Sequence, residues 1–234
     1  MCCGMGRRIR CLIHAVPARS WYVEGFLAPA LRRQGADVEI WMDDRGRGNL
    51  QACMDAFAAR AGSGGTWHLQ DDVLPRRDFA ARAREIDAGT VACGFCCSAY
   101  DARTDLSGPV YAANMWLSFP CIHIPDPMAR AWADWMESGQ WETEADAAGF
   151  SLFEQGRGDD WFFREFAEIR CPEIPYRNLA PNLAEHVDWL IGGSVSSAYR
   201  GFYARSALWD DDAALQGLTD WLRRESGKND FFGG

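Results

Sequence analysis

The sequence predicts an α/β domain with a central, mostly parallel sheet flanked by helices and a helical C-terminal end. Two observations carry this. Short apolar runs alternate with helix-patterned stretches through the N-terminal part of the chain, and Gly or Asp/Gly clusters fall between most of them. Repeated β-α-β order of this kind favours parallel strands joined by right-handed crossovers. Ile9–Val16 reads as a buried first strand. Ser20 is placed as the cap of a following helix, with Phe26, Leu27, Ala30 and Leu31 on one face and Gly35 as its stop. Val38–Met42 is the second strand, and Leu50–Ala61 a helix with Cys53, Met54 and Phe57 on one face. Thr66–Gln70 is the third strand, Asp78–Ile86 a third helix and Val91–Phe95 a fourth strand.

The remainder is less regular. Val110–His123 is strand-like but broken by Pro120, and Met128–Met136 is an amphipathic, Trp-rich helix. Gln140–Ala148 is acidic, Asp160–Glu168 helical and Ile174–Leu179 extended. A last amphipathic helix covers 211–226, before a Gly- and Phe-rich tail. Neither an internal repeat nor a low-complexity linker interrupts the 234 residues, so a single domain over 1–234 is expected.

Composition excludes several function classes. Hydrophobic residues make up 48% and charged ones 24%, which belongs to a globular chain and not a disordered one. No apolar run is long enough to span a bilayer, and the start lacks the apolar core of a secretory signal. Nine cysteines without framework spacing favour a reducing, cytoplasmic setting. Cys93, Cys96 and Cys97 form one ligand-like pair with no clear second pair. A buried strand end therefore accounts for them better than zinc does. The net charge of −9 is unevenly spread: residues 1–90 hold 13 Arg against 11 acids, and 91–234 hold 11 bases against 22 acids. That balance disfavours gripping duplex DNA by bulk electrostatics.

In an open α/β sheet, ligands bind beyond the carboxyl ends of parallel strands. Three strands here end in polar segments: Pro17-Ala18-Arg19, Asp43-Asp44-Arg45 and Gln70-Asp71-Asp72. Parallel pairing would bring all three to one rim. Adjacent carboxylates such as Asp71 and Asp72 repel, so they need solvent, partial protonation or a cation. Hard divalent ions suit them and commonly share them with substrate phosphates. A turn is the plainer account of either Asp pair. His14 and His68 lie inside predicted strands and His123 in a Pro-rich stretch, so structural roles are expected for these three.

Leu69-Gln70-Asp71-Asp72-Val73, followed by Arg77-Asp78-Phe79, resembles the metal-binding segment of GT-A glycosyltransferases, in particular small members associated with phages and actinobacteria. Ile13–Arg19 resembles their first strand and nucleotide-contacting loop, and Trp41–Arg45 with Gly48-Asn49 their second. Asp159-Asp160-Trp161-Phe162 resembles the acidic pair near the acceptor. Pro181-Asn182-Leu183-Ala184-Glu185-His186 is similar to a Pro-Ser-Leu-Val-x-His segment whose His completes the metal site. Gln70 stands where the family has a further Asp, Asn182 replaces Ser, and 188–197 is longer and richer in Gly and Ser.

The resemblance implies a GT-A (Rossmann-like) fold and a hexosyltransferase-type enzyme that moves a sugar from a UDP- or GDP-sugar to a hydroxyl. Residues 1–97 would be the nucleotide-sugar and metal half, 98–205 the acceptor half, and 206–234 the C-terminal helix and tail. Pro17, Arg19, Asp43, Asp44 and Asp71 would hold the donor. Asp72 and His186 would bind Mn²⁺ or Mg²⁺, and Asp159 or Asp160 would act as base. Arg200 could add a phosphate contact, and Trp116 and Trp161 could stack on the acceptor, which would be a glycan, a small molecule or modified DNA. Rival readings are phage DNA modification on 5-hydroxymethyl-pyrimidine, for which Arg76, Arg77, Arg82 and Arg84 could form a basic strip, a non-catalytic nucleotide-binding module, and a metal-dependent hydrolase or nuclease.

Overall fold

The computed structural model describes residues 8–45, 49–95, 120–140, 143, 163, 166–167, 170–192, 206 and 208–226. Among them the strands are β1 (Arg10–Ala15), β2 (Asp37–Met42), β3 (Thr66–Gln70), β4 (Val73–Pro75), β5 (Val91–Cys93), β6 (Cys121–Ile124), β7 (Tyr176–Asn178) and β8 (Ala184–His186). The helices are α1, a helical run over 17–33, α2 (Asn49–Ala58), α3 (Phe79–Arg84), α4 (Asp126–Ser138) and α5 (Asp212–Ser226). Each predicted strand or helix that falls wholly within the described residues is present, with ends shifted by a few residues.

Six strands form the central sheet in the order β2-β1-β3-β6-β5-β7. β1 runs parallel to β2 and β3, and β5 parallel to β7. Only β6 is reversed, and it lies antiparallel to both β3 and β5. The expected mostly parallel sheet is therefore present. One strand from the irregular second part fills the place between β3 and β5, which a simple β-α-β reading would have made neighbours.

Period-two alternation sorts the core into two layers. Cys11, Ile13 and Ala15 of β1 and Trp67 and Leu69 of β3 face Tyr22, Leu27, Leu31, Phe79 and Leu218. On the other side Ile122 and Ile124 of β6 meet Met54, Phe57, Met128, Trp132, Phe163 and Phe166. Complete burial of such side chains contributes about 1.5–3 kcal/mol each. Trp132 fills the second layer and still satisfies its indole N–H, which donates to the Met54 carbonyl at 3.0 Å.

The helical run α1 begins earlier than expected. Pro17 opens a 3-10 turn, and Ser20 lies inside the run, its hydroxyl donating to the Pro17 carbonyl at 2.9 Å instead of capping a free N–H. Proline's fixed φ is already suited to a first turn. A π-helical stretch, Val23–Leu27, follows, and the run closes at Gly35 with φ +82. Gly94 is required for a different reason: a Cβ there would lie 2.7 Å from Cys121 Sγ.

The short β4 and β8 are unforeseen and position the site. They pair antiparallel, with Val73 opposite His186, Leu74 opposite Glu185 and Pro75 opposite Ala184. The Val187 N–H donates to the Asp72 carbonyl at 2.8 Å, which extends the ladder by one bond. Tyr22, fully buried in α1, donates its hydroxyl to the Val73 carbonyl at 2.7 Å.

Candidate functional site

The parallel register puts the ends of β1, β2 and β3 on one rim, since Ala15 pairs with Met42 and His14 with Gln70. The Asp43 N–H donates to the Ala15 carbonyl at 2.8 Å, and the Val16 N–H donates to Asp71 Oδ2 at 2.8 Å. The three polar segments read from the sequence therefore meet. Asp43 is buried, whereas Asp44 and Pro17 are exposed.

Arg19 is buried with its guanidinium against the Asp pair: Nη1 lies 3.0 Å from Asp72 Oδ2 and 3.6 Å from Asp71 Oδ1. From the other side the β4–β8 ladder delivers His186, whose Nε2 is 3.2 Å from the same Asp72 oxygen. Its Nδ1 is 3.3 Å from Asp188 Oδ1. Asp71, His186 and Asp188 are all buried.

These neighbours set the protonation states. Burial, and then the charge of Asp72, push the Asp71 carboxyl up to about 7, against the Val16 N–H and Arg19. Burial also works against an ionised Asp72, but His186 and Arg19 outweigh it and hold that carboxyl below its usual range. For His186, burial would lower the pKa, yet Asp72 and Asp188 raise it to about 9. The repulsion expected between the two Asp is relieved twice over, by a proton shared onto Asp71 and by fixed cations beside Asp72.

Asp72 and the neutral form of His186 could hold a divalent cation, which would displace the Nε2 proton. Two ligand atoms each about 2.1 Å from one ion, at roughly a right angle, stand about 3 Å apart, and Asp72 Oδ2 and His186 Nε2 are 3.2 Å apart. Asp72 Oδ1 is buried and accepts no hydrogen bond, so one carboxylate oxygen is left for such an ion. Among the described residues no group of three or more His, Cys, Asp or Glu is already gathered as a metal centre. Further ligands would have to come from elsewhere, such as the substrate.

The remaining candidates separate clearly. Asp159 and Asp160 lie outside the described residues, as do Cys96, Cys97, Trp116, Trp161 and Arg200. Cys93 is buried at the end of β5 and is not part of a disulfide. Of the arginines considered as a basic strip, Arg76 pairs with Asp78 and Asp210, Arg77 with Asp211 and Arg82 with Asp78. Each of these three thus has a carboxylate partner within the protein, and Arg77 keeps an exposed side chain. His123 donates from Nδ1 to the Thr90 carbonyl at 2.8 Å, and His14 and His68 bond each other at 2.9 Å under α2.

Asp188 was not foreseen as a site residue. It sits two residues beyond His186, where the chain leaves β8, and that His-Val-Asp spacing was the available signal. Arg19 was anticipated as a donor contact, but its embrace of the Asp pair depends on α1 folding back over the rim.

No protein-family model matches the chain, and no curated protein matches it. Among solved structures, A197 from STIV is similar at 15% identity and a TM-score of 0.42, over 77% of this chain and 85% of that one. The glycosyltransferase GlyE from Streptococcus pneumoniae TIGR4 is similar at 10% identity and a TM-score of 0.44. That match covers 93% of this chain but 64% of GlyE. No described helix is long and apolar enough to cross a membrane.

Proposed function

We propose that this protein is a metal-dependent glycosyltransferase that moves a sugar from a nucleoside-diphosphate sugar to a hydroxyl acceptor. The observation that carries the reading is the convergence of Asp72 and His186, 3.2 Å apart at the rim of the parallel strands, with Asp72 Oδ1 unclaimed. A carboxylate–imidazole pair beside a strand rim suits a cation that in turn holds a diphosphate.

Asp72 and His186 would hold Mn²⁺ or Mg²⁺, with Asp71 close by. The bound cation would supply Lewis-acid stabilisation of the departing diphosphate. Asp43 and Asp44 would accept from ribose hydroxyls beyond β2, and the exposed Pro17 turn would border the base. Arg19 would keep the Asp pair from repelling while adding positive potential where the dianionic leaving group collects. Asp159 or Asp160 would take the proton of the acceptor hydroxyl as its oxygen bonds to the anomeric carbon. The bond from that carbon to the diphosphate oxygen breaks, and the nucleoside diphosphate leaves.

The ion pairs of Arg76, Arg77 and Arg82 leave little basic surface there for a duplex, which favours a glycan or small-molecule acceptor over DNA. A panel of UDP- and GDP-sugars assayed for Mn²⁺-dependent hydrolysis tests the proposal. One donor should be cleaved only with the metal, and Asp72→Asn should reduce that cleavage at least 100-fold. Metal-independent cleavage, no cleavage of any donor, or an unchanged Asp72→Asn rate would overturn it.

A further inference from the structure

We infer that Asp188 is the positioning residue for His186, holding the Nδ1 edge of its imidazole so that Nε2 is turned to Asp72. The inference rests on Asp72 and His186 being the cation-binding pair proposed above.

The imidazole lies between two carboxylates. Nε2 is 3.2 Å from Asp72 Oδ2, and Nδ1 on the other edge is 3.3 Å from Asp188 Oδ1. A half-turn of the ring about Cβ–Cγ would put a carbon in the place of each nitrogen, and both carboxylates would lose the nitrogen they face. Only the observed orientation serves both.

Asp188 is itself fixed. It is 4% exposed, and its Oδ1 accepts the Trp189 N–H at 2.7 Å as the chain turns away from β8. Phe95 stands against the His186 ring with centroids 6.0 Å apart. The backbone is anchored as well, through the ladder pairing of His186 with Val73 and the bond from the Val187 N–H to the Asp72 carbonyl. Backbone anchoring fixes where the ring starts but not which edge it presents; that choice falls to Asp188.

Metal-bound histidines generally give their second ring N–H to a carboxylate or carbonyl, which fixes the tautomer and makes the ligating nitrogen more basic. With Nδ1 held in its 3.3 Å charge contact with Asp188, the Nε2 lone pair of the neutral ring would face a cation shared with Asp72. In this role Asp188 acts on the cation only through His186.

The test uses the full chain with ¹⁵N-labelled histidine, the His186 ring signals being assigned by their loss in His186→Gln. In the metal-free protein the Nδ1–H of His186 should be a slowly exchanging resonance that vanishes in Asp188→Ala and survives in Asp188→Asn, whose amide oxygen still accepts. Calorimetric titration with Mn²⁺ alone should show affinity roughly 10–100-fold weaker in Asp188→Ala, with a smaller loss in Asp188→Asn. An Nδ1–H and an Mn²⁺ affinity both unaltered in Asp188→Ala would overturn the inference. If the parent binds no Mn²⁺ but the Nδ1–H still depends on Asp188, the metal reading fails and the positioning role stands. Should Asp188→Ala not fold, the near-isosteric Asp188→Asn carries the test, through faster Nδ1–H exchange and weaker Mn²⁺ binding.

Discussion

Val73 and His186 face each other across the β4–β8 ladder, and that single register places the imidazole Nε2 3.2 Å from Asp72 Oδ2. Residues more than a hundred positions apart in sequence thereby share a buried charge pair. A slip of one residue would send His186 to the opposite face of its strand.

Breaking that pair should cost stability even without metal. Asp72→Asn leaves the buried Arg19 guanidinium beside a neutral amide and removes the charge that chiefly raises His186, and removal of one partner from a buried pair typically costs about 3–5 kcal/mol. With Asp72 partly solvent-accessible, the low end is expected. Urea denaturation at pH 7 with chelator present measures it, and an unmoved midpoint would contradict the pairing.

Arg19→Met should destabilise in a pH-dependent way. Asp71 titrates near 7, so below that pH its proton already relieves the Asp71–Asp72 repulsion. Above it both carboxylates are charged and need the guanidinium. The stability difference between parent and variant should therefore be larger at pH 8.5 than at pH 5.5. Equal differences at the two values would argue against Arg19 as their counter-ion.

Acid should weaken the fold through the buried imidazoles. Burial holds His14 down at about 3, and burial and then the neighbouring His14 keep His68 well below its ordinary value near 6.5. The unfolded chain takes up protons near 6.5 while the folded one does not. The contribution of these two imidazoles is thus complete above pH 6.5 and declines as pH falls from there, by up to about 1.4 kcal/mol per pH unit for each histidine. His68→Gln should flatten the dependence between pH 6.5 and 4.5, which denaturation at several pH values would reveal.

Nucleotide binding should require metal. UDP or GDP should raise the Tm with Mn²⁺ present and leave it unchanged with chelator. Stabilisation reaches about 2.7 kcal/mol when ligand stands at a hundred times its Kd. Equal shifts with and without Mn²⁺ would point instead to a nucleotide-binding module that uses no ion.

In the second core layer, Trp132→Ala should cost about 3–5 kcal/mol through the cavity it leaves among Phe57, Phe163 and Phe166. Trp132→Phe should lose less, chiefly the indole N–H bond to Met54. Chemical denaturation of both variants separates the packing and hydrogen-bond contributions.

The sequence by itself determined the alternating elements of the N-terminal half, because apolar period and glycine stops are local properties of the chain. It also determined that Pro17–Arg19, Asp43-Asp44 and Asp71-Asp72 would share a rim, since parallel strands carry their carboxyl ends to one side. The tertiary structure decided what no local pattern encodes. It inserted β6 antiparallel between β3 and β5, folded Arg19 back onto the Asp pair, and built the three-residue β4 and β8 that bring His186 and Asp188 to Asp72. Strands that short carry almost no periodic signal, and they exist because their partner supplies the hydrogen bonds and their side chains are buried. Protonation followed the same division. The chain supplied an imidazole and three carboxylates, and only their burial and spacing raised the pKa of His186 and of Asp71 above their ordinary values.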